Sequence, residues 1–151
     1  MKPLRVIVVE DDSFSRTTLK AALQLQGIEV IHDTSNISSA IKIARTSSPD
    51  AAVIDLDLGS GPNGMDLAIG LRKSNPAIGI VLLTGFVDPR LLDSALTKLP
   101  RGTQYLVKQQ VPNIESVLGA IEESIAAATS KKSMPELKVP SMNLPTAQLE
   151  T

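Results

Sequence analysis

Four places in this chain set a reactive side chain just past a short apolar run. Val6-Ile7-Val8-Val9 is followed by Glu10-Asp11-Asp12, Val53-Ile54 by Asp55, Val81-Leu82-Leu83 by Thr84-Gly85, and Tyr105-Leu106-Val107 by Lys108. A β-prone run that stops at an acid and a Gly-rich loop reads as a buried parallel strand carrying a carboxylate to the rim of a sheet. In open α/β sheets that rim is where ligands bind. If the first, third, fourth and fifth runs are neighbours, these side chains converge on one pocket. Carboxylates crowded there repel one another unless a cation binds. A hard, oxygen-seeking ion such as Mg²⁺, held by one or two carboxylates and waters, is the natural counter-charge. With the Thr84 hydroxyl and the Lys108 ammonium added, the pocket suits a dianionic phosphoryl group. Asp55, on the central run, is then the candidate nucleophile. Asp12 carries two readings, a ligand or the N-cap of the helix that follows.

The elements that must position these groups alternate along the chain. Leu4–Val9, Ile28–His32, Ala51–Leu56, Ile78–Leu83 and Thr103–Val107 are short and β-branched or aliphatic, as strands are. Helical spacing fills the intervals. A first helix is expected over Ser13–Gln26 with Gly27 as its stop, a second over Ile37–Thr46, and a third over Met65–Ser74 before Asn75-Pro76. A fourth starts at Asp88-Pro89, an N-cap followed by proline at the first helical position, and ends before Pro100. In the last, Ile114, Val117, Leu118, Ile121 and Ile125 share one face. Five β–α units with tight connections predict a doubly wound α/β fold, a five-stranded parallel sheet with helices on both faces. From about Thr129 the pattern is lost, and Pro135, Pro140 and Pro145 interrupt a polar stretch. The expected division is a domain over 1–128 and a Pro-containing linker or tail over 129–151.

Composition narrows the classes of function. With two Phe, one Tyr and no Trp in 151 residues, the core must be aliphatic. A net charge of −1 offers no electrostatic footprint for nucleic acid or an anionic membrane. The absence of Cys excludes disulfides and thiolate chemistry. No signal peptide opens the chain, and no apolar run reaches the ~18 residues of a membrane span. A soluble, cytoplasmic protein is the expectation. His32, the sole histidine, falls on the second strand away from the pocket and reads as structural or solvent-exposed. Arg16, Arg72 and Arg90 read as surface charges on helices, and Lys131-Lys132 as a solvated pair.

Taken in order, Val8-Val9-Glu10-Asp11-Asp12, Pro49-Asp50-Ala51-Ala52-Val53-Ile54-Asp55-Leu56, Leu82-Leu83-Thr84-Gly85 and Tyr105-Leu106-Val107-Lys108 resemble the receiver domain of two-component response regulators. The likeness spans about Leu4 to Ala127 and implies a flavodoxin-like fold. It further implies that Asp55 takes a phosphoryl group from the phosphohistidine of a sensor histidine kinase. Glu10 and Asp11 match the family's acidic pair, the second a direct Mg²⁺ ligand and the first acting through water. Asp57 matches the position whose backbone carbonyl completes the metal shell. Thr84 matches the hydroxyl that binds the phosphoryl group, Lys108 the ammonium that pairs with it, and Tyr105 the aromatic switch whose ring moves inward as Thr84 is drawn to the phosphate. The resemblance places the response on the face of the fourth helix, fifth strand and fifth helix, through homodimerisation or partner docking. No turnover enzyme is implied, since the chain is phosphorylated once per signal.

Three positions depart from that family. Gln109 stands where a proline usually follows the lysine, so a trans peptide and a reshaped loop are expected. The loop Gly59-Ser60-Gly61-Pro62-Asn63-Gly64 is Gly-rich and about one residue longer than usual, and should be mobile. Phe86, two residues past Thr84, predicts slow loss of the phosphoryl group by shielding it from water. Two other functions compete. Asp55-Leu56-Asp57 also resembles the nucleophile motif of haloacid-dehalogenase-type phosphatases, but in those the acidic metal pair follows the lysine, whereas Glu10-Asp11 precedes everything here. A binding module that keeps the fold and never takes phosphate is the second alternative, although such modules usually lose one of the key residues. The ending Leu144-Pro145-Thr146-Ala147-Gln148-Leu149-Glu150-Thr151 faintly resembles the start of a LuxR-type helix-turn-helix, so the segment reads either as the receiver of a transcription factor or as a stand-alone receiver with a tail. In neither case does this segment supply a basic recognition helix, so no direct nucleic-acid binding is expected of it.

Overall fold

Five aliphatic strands form a single parallel sheet: β1 (Arg5–Val9), β2 (Glu29–Thr34), β3 (Ala51–Asp55), β4 (Gly79–Thr84) and β5 (Gln104–Val107), in the order β2-β1-β3-β4-β5. The computed structural model describes residues 2–55, 64–84, 100–107 and 113–129. The described helices are α1 (Ser13–Leu25), α2 (Ile37–Ser47), α3 (Gly64–Ser74) and α4 (Ile114–Thr129). The helix expected between Asp88 and Pro100 lies outside the described residues, so α4 here is the fifth helix of the sequence reading.

This strand order is that of the flavodoxin-like doubly wound sheet, with its switch point between β1 and β3. Alternation along each strand divides the core in two. Ile7, Val9, Ala52, Ile54, Ile80, Leu82 and Tyr105 face α2 and α3, meeting Ala40, Ala44, Leu67 and Leu71. Val6, Val8, Ala51, Val53, Val81, Leu83 and Leu106 face α1 and α4, meeting Leu23, Val117, Ala120 and Ile121. All five residues of β3 are buried, as a central strand covered on both sides requires.

Helix ends follow local chemistry. Asp12 is the N-cap of α1, its carboxylate accepting from Ser15 N at 2.7 Å, which settles its two readings in favour of the cap. Asn36 caps α2 in the same way through Ser39 N at 2.9 Å. Gly27 takes φ +86° just past α1, as its stop position demands. Strand β2 runs to Thr34, two residues beyond the expected end, because it continues to pair with β1 up to Val9↔Thr34. Strand β3 is described as far as Asp55, and its expected last residue, Leu56, lies outside the described residues. Helix α4 reaches Thr129, one residue past the expected domain end.

Candidate functional site

The strand ends bring Glu10, Asp55 and Thr84 to one edge of the sheet. Val9 pairs with Ile54, so Glu10 and Asp55 are the next residues on adjacent strands. Asp55 pairs with Leu83, which puts Thr84 one step beyond it on β4, and Thr84 pairs with Val107 at the end of β5. The carboxyl ends of β1, β3, β4 and β5 therefore meet around Asp55 as the spacing requires. Asp57 and Lys108 lie outside the described residues, as do Phe86, Gln109 and the loop over 56–63.

Burial separates the acids. Glu10 and Asp55 are 3% and 4% exposed, whereas Asp11 and Asp12 face solvent. Apolar strands lead into both buried carboxylates. Two carboxyl groups buried on neighbouring strands favour a cation or a hydrogen-bond donor beside them. Glu10 is held from three sides. Its N–H donates to Thr34 O at 3.0 Å, its carbonyl accepts from Arg16 Nη1 at 2.8 Å, and its carboxylate receives a long contact of 3.4 Å from Asp12 N. Arg16 also pairs with Asp33 at 3.4 Å, and Lys20 pairs with the same carboxylate at 3.1 Å. Arg16 is thus no plain surface charge: it ties the end of β1 to β2 and steadies the loop bearing Glu10 and Asp11.

Among the described residues, no group of three or more acidic or imidazole side chains is disposed to hold a metal ion. Glu10, Asp11 and Asp55 do not by themselves form a closed cage. Mg²⁺ does not ask for one, because it typically keeps several waters and takes one or two carboxylates. An edge with two buried carboxylates and an exposed acid beside them fits that habit.

Tyr105 is 4% exposed and packed in the core on the α2/α3 side. Its ring stands inward already in this structure. On the opposite side of the sheet a cavity of about 360 Å³ opens between α1 and α4, lined by Glu10, Phe14, Leu19, Leu83, Ile114 and Val117 among others. His32 is partly buried, its Nε2 3.0 Å from Ser39 Oγ, and joins β2 to α2 far from Asp55, as a structural residue should. Arg72 departs from expectation. Half-buried at the end of α3, it donates from Nε to Ile78 O at 3.1 Å, while its Nη2 is enclosed without a hydrogen-bond partner. Burial first, and the nearby Arg101 second, push its pKa below the ordinary arginine value.

Comparison with known proteins agrees with this architecture. The family model described as "response regulator receiver domain" matches residues 6–121. The chain is 36% identical to the sensory transduction protein LytT of Bacillus subtilis over 84 residues, which is 55% of this chain and 34% of that protein. It is 28% identical over 127 residues to the nitrate/nitrite response regulator protein NarL of Escherichia coli, covering 83% of this chain and 56% of NarL. The chain thus spans between a third and three-fifths of these curated relatives. A two-component response regulator of the LuxR family from Aurantimonas superposes with a TM-score of 0.76 at 21% identity, covering 98% of each chain, a likeness of fold. Among the described residues no helix is long and apolar enough to cross a membrane.

Proposed function

Because this chain belongs to the receiver-domain family of two-component response regulators, we propose that Asp55 accepts a phosphoryl group from the phosphohistidine of a sensor histidine kinase. The observation that carries the reading is the placement of Asp55. It is 4% exposed at the carboxyl end of the central strand, between the end of β1 that bears Glu10 and the end of β4 that bears Thr84.

An Asp55 carboxylate oxygen attacks phosphorus in line with the donor imidazole. The new O–P bond forms as the P–N bond breaks, and the imidazole nitrogen keeps the electron pair and takes a proton. Asp11 and Asp55 would hold Mg²⁺, with Glu10 acting through water and Asp57 contributing as the family resemblance implies, and the ion would supply positive charge to the phosphoryl oxygens. Burial of Asp55 and Glu10 keeps the nucleophile poorly solvated, and Arg16 holds the Glu10 backbone in place. Thr84 and Lys108 read the new charge, the first by a hydrogen bond and the second as an ion pair. The change passes to the face that includes β5 and α4, with Tyr105 as its aromatic element, and controls association or output. One phosphoryl group per signal makes the chain a substrate and switch rather than a turnover enzyme. A cytoplasmic location, with access to kinase and Mg²⁺, follows from this role.

Acetyl phosphate with Mg²⁺ should label the protein stoichiometrically, and Asp55→Asn should abolish the label. Labelling retained in Asp55→Asn would move the acceptor to Asp57 or Asp11. Steady hydrolysis of a generic phosphate monoester would favour a phosphatase. Failure of beryllofluoride with Mg²⁺ to shift the melting temperature would favour an unphosphorylated interaction module.

A further inference from the structure

The net charge of −1 hides an uneven division of charge between the two ends of the sheet. Glu10, Asp11, Asp12, Asp33 and Asp55 stand at the carboxyl ends of the strands, and Asp66 and Glu115 lie in the first turns of α3 and α4 there. At the amino ends, Arg5 opens β1, Arg45 lies in the last turn of α2, Arg72 and Lys73 in that of α3, and Arg101 precedes β5. Glu29 and Asp50 are the described acids at that end, and the Asp50 carboxylate accepts from Arg5 N at 2.8 Å. The helix dipole favours a cation in each last turn. It does not call for Lys42 in the middle of α2 or for Arg101 on a turn.

These cations form a band across the α2/α3 side. Asn75 Nδ2 donates to Ala44 O at 2.9 Å, which sets the turn bearing Arg45 beside the turn bearing Arg72 and Lys73. Arg72 Nε donates to Ile78 O at 3.1 Å. Burial first and Arg101 second lower its pKa, so the two guanidinium groups lie within electrostatic reach of each other. On the outer side of α2 is a hollow of about 550 Å³, which Ser38, Ile41, Lys42, Arg45 and Thr46 line with two hydroxyls and two cations. Lys42, Arg45 and Lys73 are exposed. Among the described residues no carboxylate pairs with them or with Arg72, the ion pairs there being those of Arg16 and Lys20 with Asp33.

The length and composition of the band decide what fits it. With helix axes about 8–10 Å apart, a band crossing α2 and α3 to the start of β5 is about 20 Å long. A single small anion covers one point of it. A nucleic-acid duplex carries a charge about every 1.7 Å of its axis and runs the whole length. A protein partner gains most of its affinity from buried aromatic or aliphatic anchors. The hollow offers only Ile41, already half-buried against the core. Interfaces with nucleic acid are instead polar and positive. We infer that this rim binds the phosphate backbone of nucleic acid without regard to base sequence, with Lys42, Arg45 and Lys73 as the contacts. The inference stands independently of the phosphorylation reading.

Fluorescence anisotropy of a labelled DNA duplex of arbitrary sequence, about 20 base pairs long, with the full 151-residue chain in about 50 mM KCl tests this. A Kd on the order of 10⁻⁴ M is expected, and doubling the salt should weaken binding about six- to twelvefold, the slope for three to four phosphates. Lys42→Gln, Arg45→Gln and Lys73→Gln should each weaken binding about fivefold and lower the salt slope by about one. Lys20→Gln removes the same charge from α1 and should leave binding as in the wild type. The three contact positions are exposed, so unchanged circular dichroism and melting temperature verify that their variants fold. A wild type that leaves the anisotropy unchanged at this salt overturns the inference. So do contact variants that bind like the wild type, or a Lys20→Gln variant that loses as much as they do. Binding of a poly-glutamate peptide in place of DNA, lost in the same three variants, assigns the rim to an acidic protein partner and overturns it too.

Discussion

Gly79 opens β4 where α4 crosses it, and replacing it with alanine tests how tightly that helix is seated. A methyl group there would overlap Ser124 Oγ and stand 2.8 Å from the backbone nitrogen of Ile125 and 2.9 Å from Ile125 Cγ1. The Ser124 hydroxyl cannot swing aside freely, since it is buried and donates to Ile121 O at 2.8 Å. The Ile125 nitrogen moves only if α4 moves. Overpacking costs about 1–3 kcal/mol, and disturbing the buried serine bond adds about 1 kcal/mol. The lower backbone entropy of an unfolded chain with alanine in place of glycine offsets up to about 1 kcal/mol. The net is about 1–4 kcal/mol. With an unfolding entropy of about 2.1 cal/mol/K per residue over a domain of about 125 residues, Gly79→Ala should lower the melting temperature by about 4–15 °C. Differential scanning calorimetry measures this directly. Ser124→Ala in the same chain should restore about 1 kcal/mol and no more, because the backbone nitrogen still blocks the methyl. A fall of less than about 3 °C in the single variant, or strict additivity in the pair, would refute the close approach of β4 and α4.

Three further outcomes follow from the same structure. Gly102 has φ +82° and a methyl there would lie 2.5 Å from Ala127 Cβ, so Gly102→Ala should cost about 2 kcal/mol or more in urea unfolding, the left-handed backbone and the contact both contributing. Arg16→Ala removes the donor to the Glu10 carbonyl and a partner of Asp33; it should destabilise by about 1–2 kcal/mol and weaken Mg²⁺-dependent beryllofluoride binding severalfold, while Asp33→Asn should spare binding more than Arg16→Ala does. Tyr105 is the sole tyrosine in a chain without tryptophan, so its fluorescence reports one site. Acrylamide should quench it weakly both before and after beryllofluoride addition, because the ring is already inward; quenching close to that of free tyrosine would show it outside the core.

Much of the fold was legible because each strand is a short aliphatic run and each helix carries its own start or stop. Gly27, Asn75-Pro76 and the Asp12 cap act locally, so their meaning survives in a linear reading. The placement of Glu10, Asp55 and Thr84 on one edge was legible for a different reason: strand-end residues become neighbours whenever the strands are parallel and in register, which the β–α alternation already implied. Arg16 and Arg72 were misread because their roles are tertiary. Nothing in the sequence says that Arg16 curls back to the carbonyl of Glu10, six residues earlier, or that Arg72 is enclosed beside Ile78. Strand β2 outran its expected end because pairing with β1, not local propensity, decides where it stops. The packing glycines were equally silent. Gly79 and Gly102 are ordinary glycines in sequence, and only the path of α4 gives them a function.

Helix α1 serves the acidic edge from its inner side. It contributes Leu23 to the core, and its charged pair is spent on Asp33, next to the strand end that carries Glu10. Arg16 also reaches the Glu10 carbonyl, so the helix and the acidic loop are held by one side chain. Arg16→Ala should consequently disturb Mg²⁺-dependent beryllofluoride binding, whereas Leu25→Glu, at an exposed position of the same helix, should leave it unchanged. Equal losses of binding in the two variants would mean that any disturbance of α1 reaches the site, and that the tether argued for Arg16 is wrong.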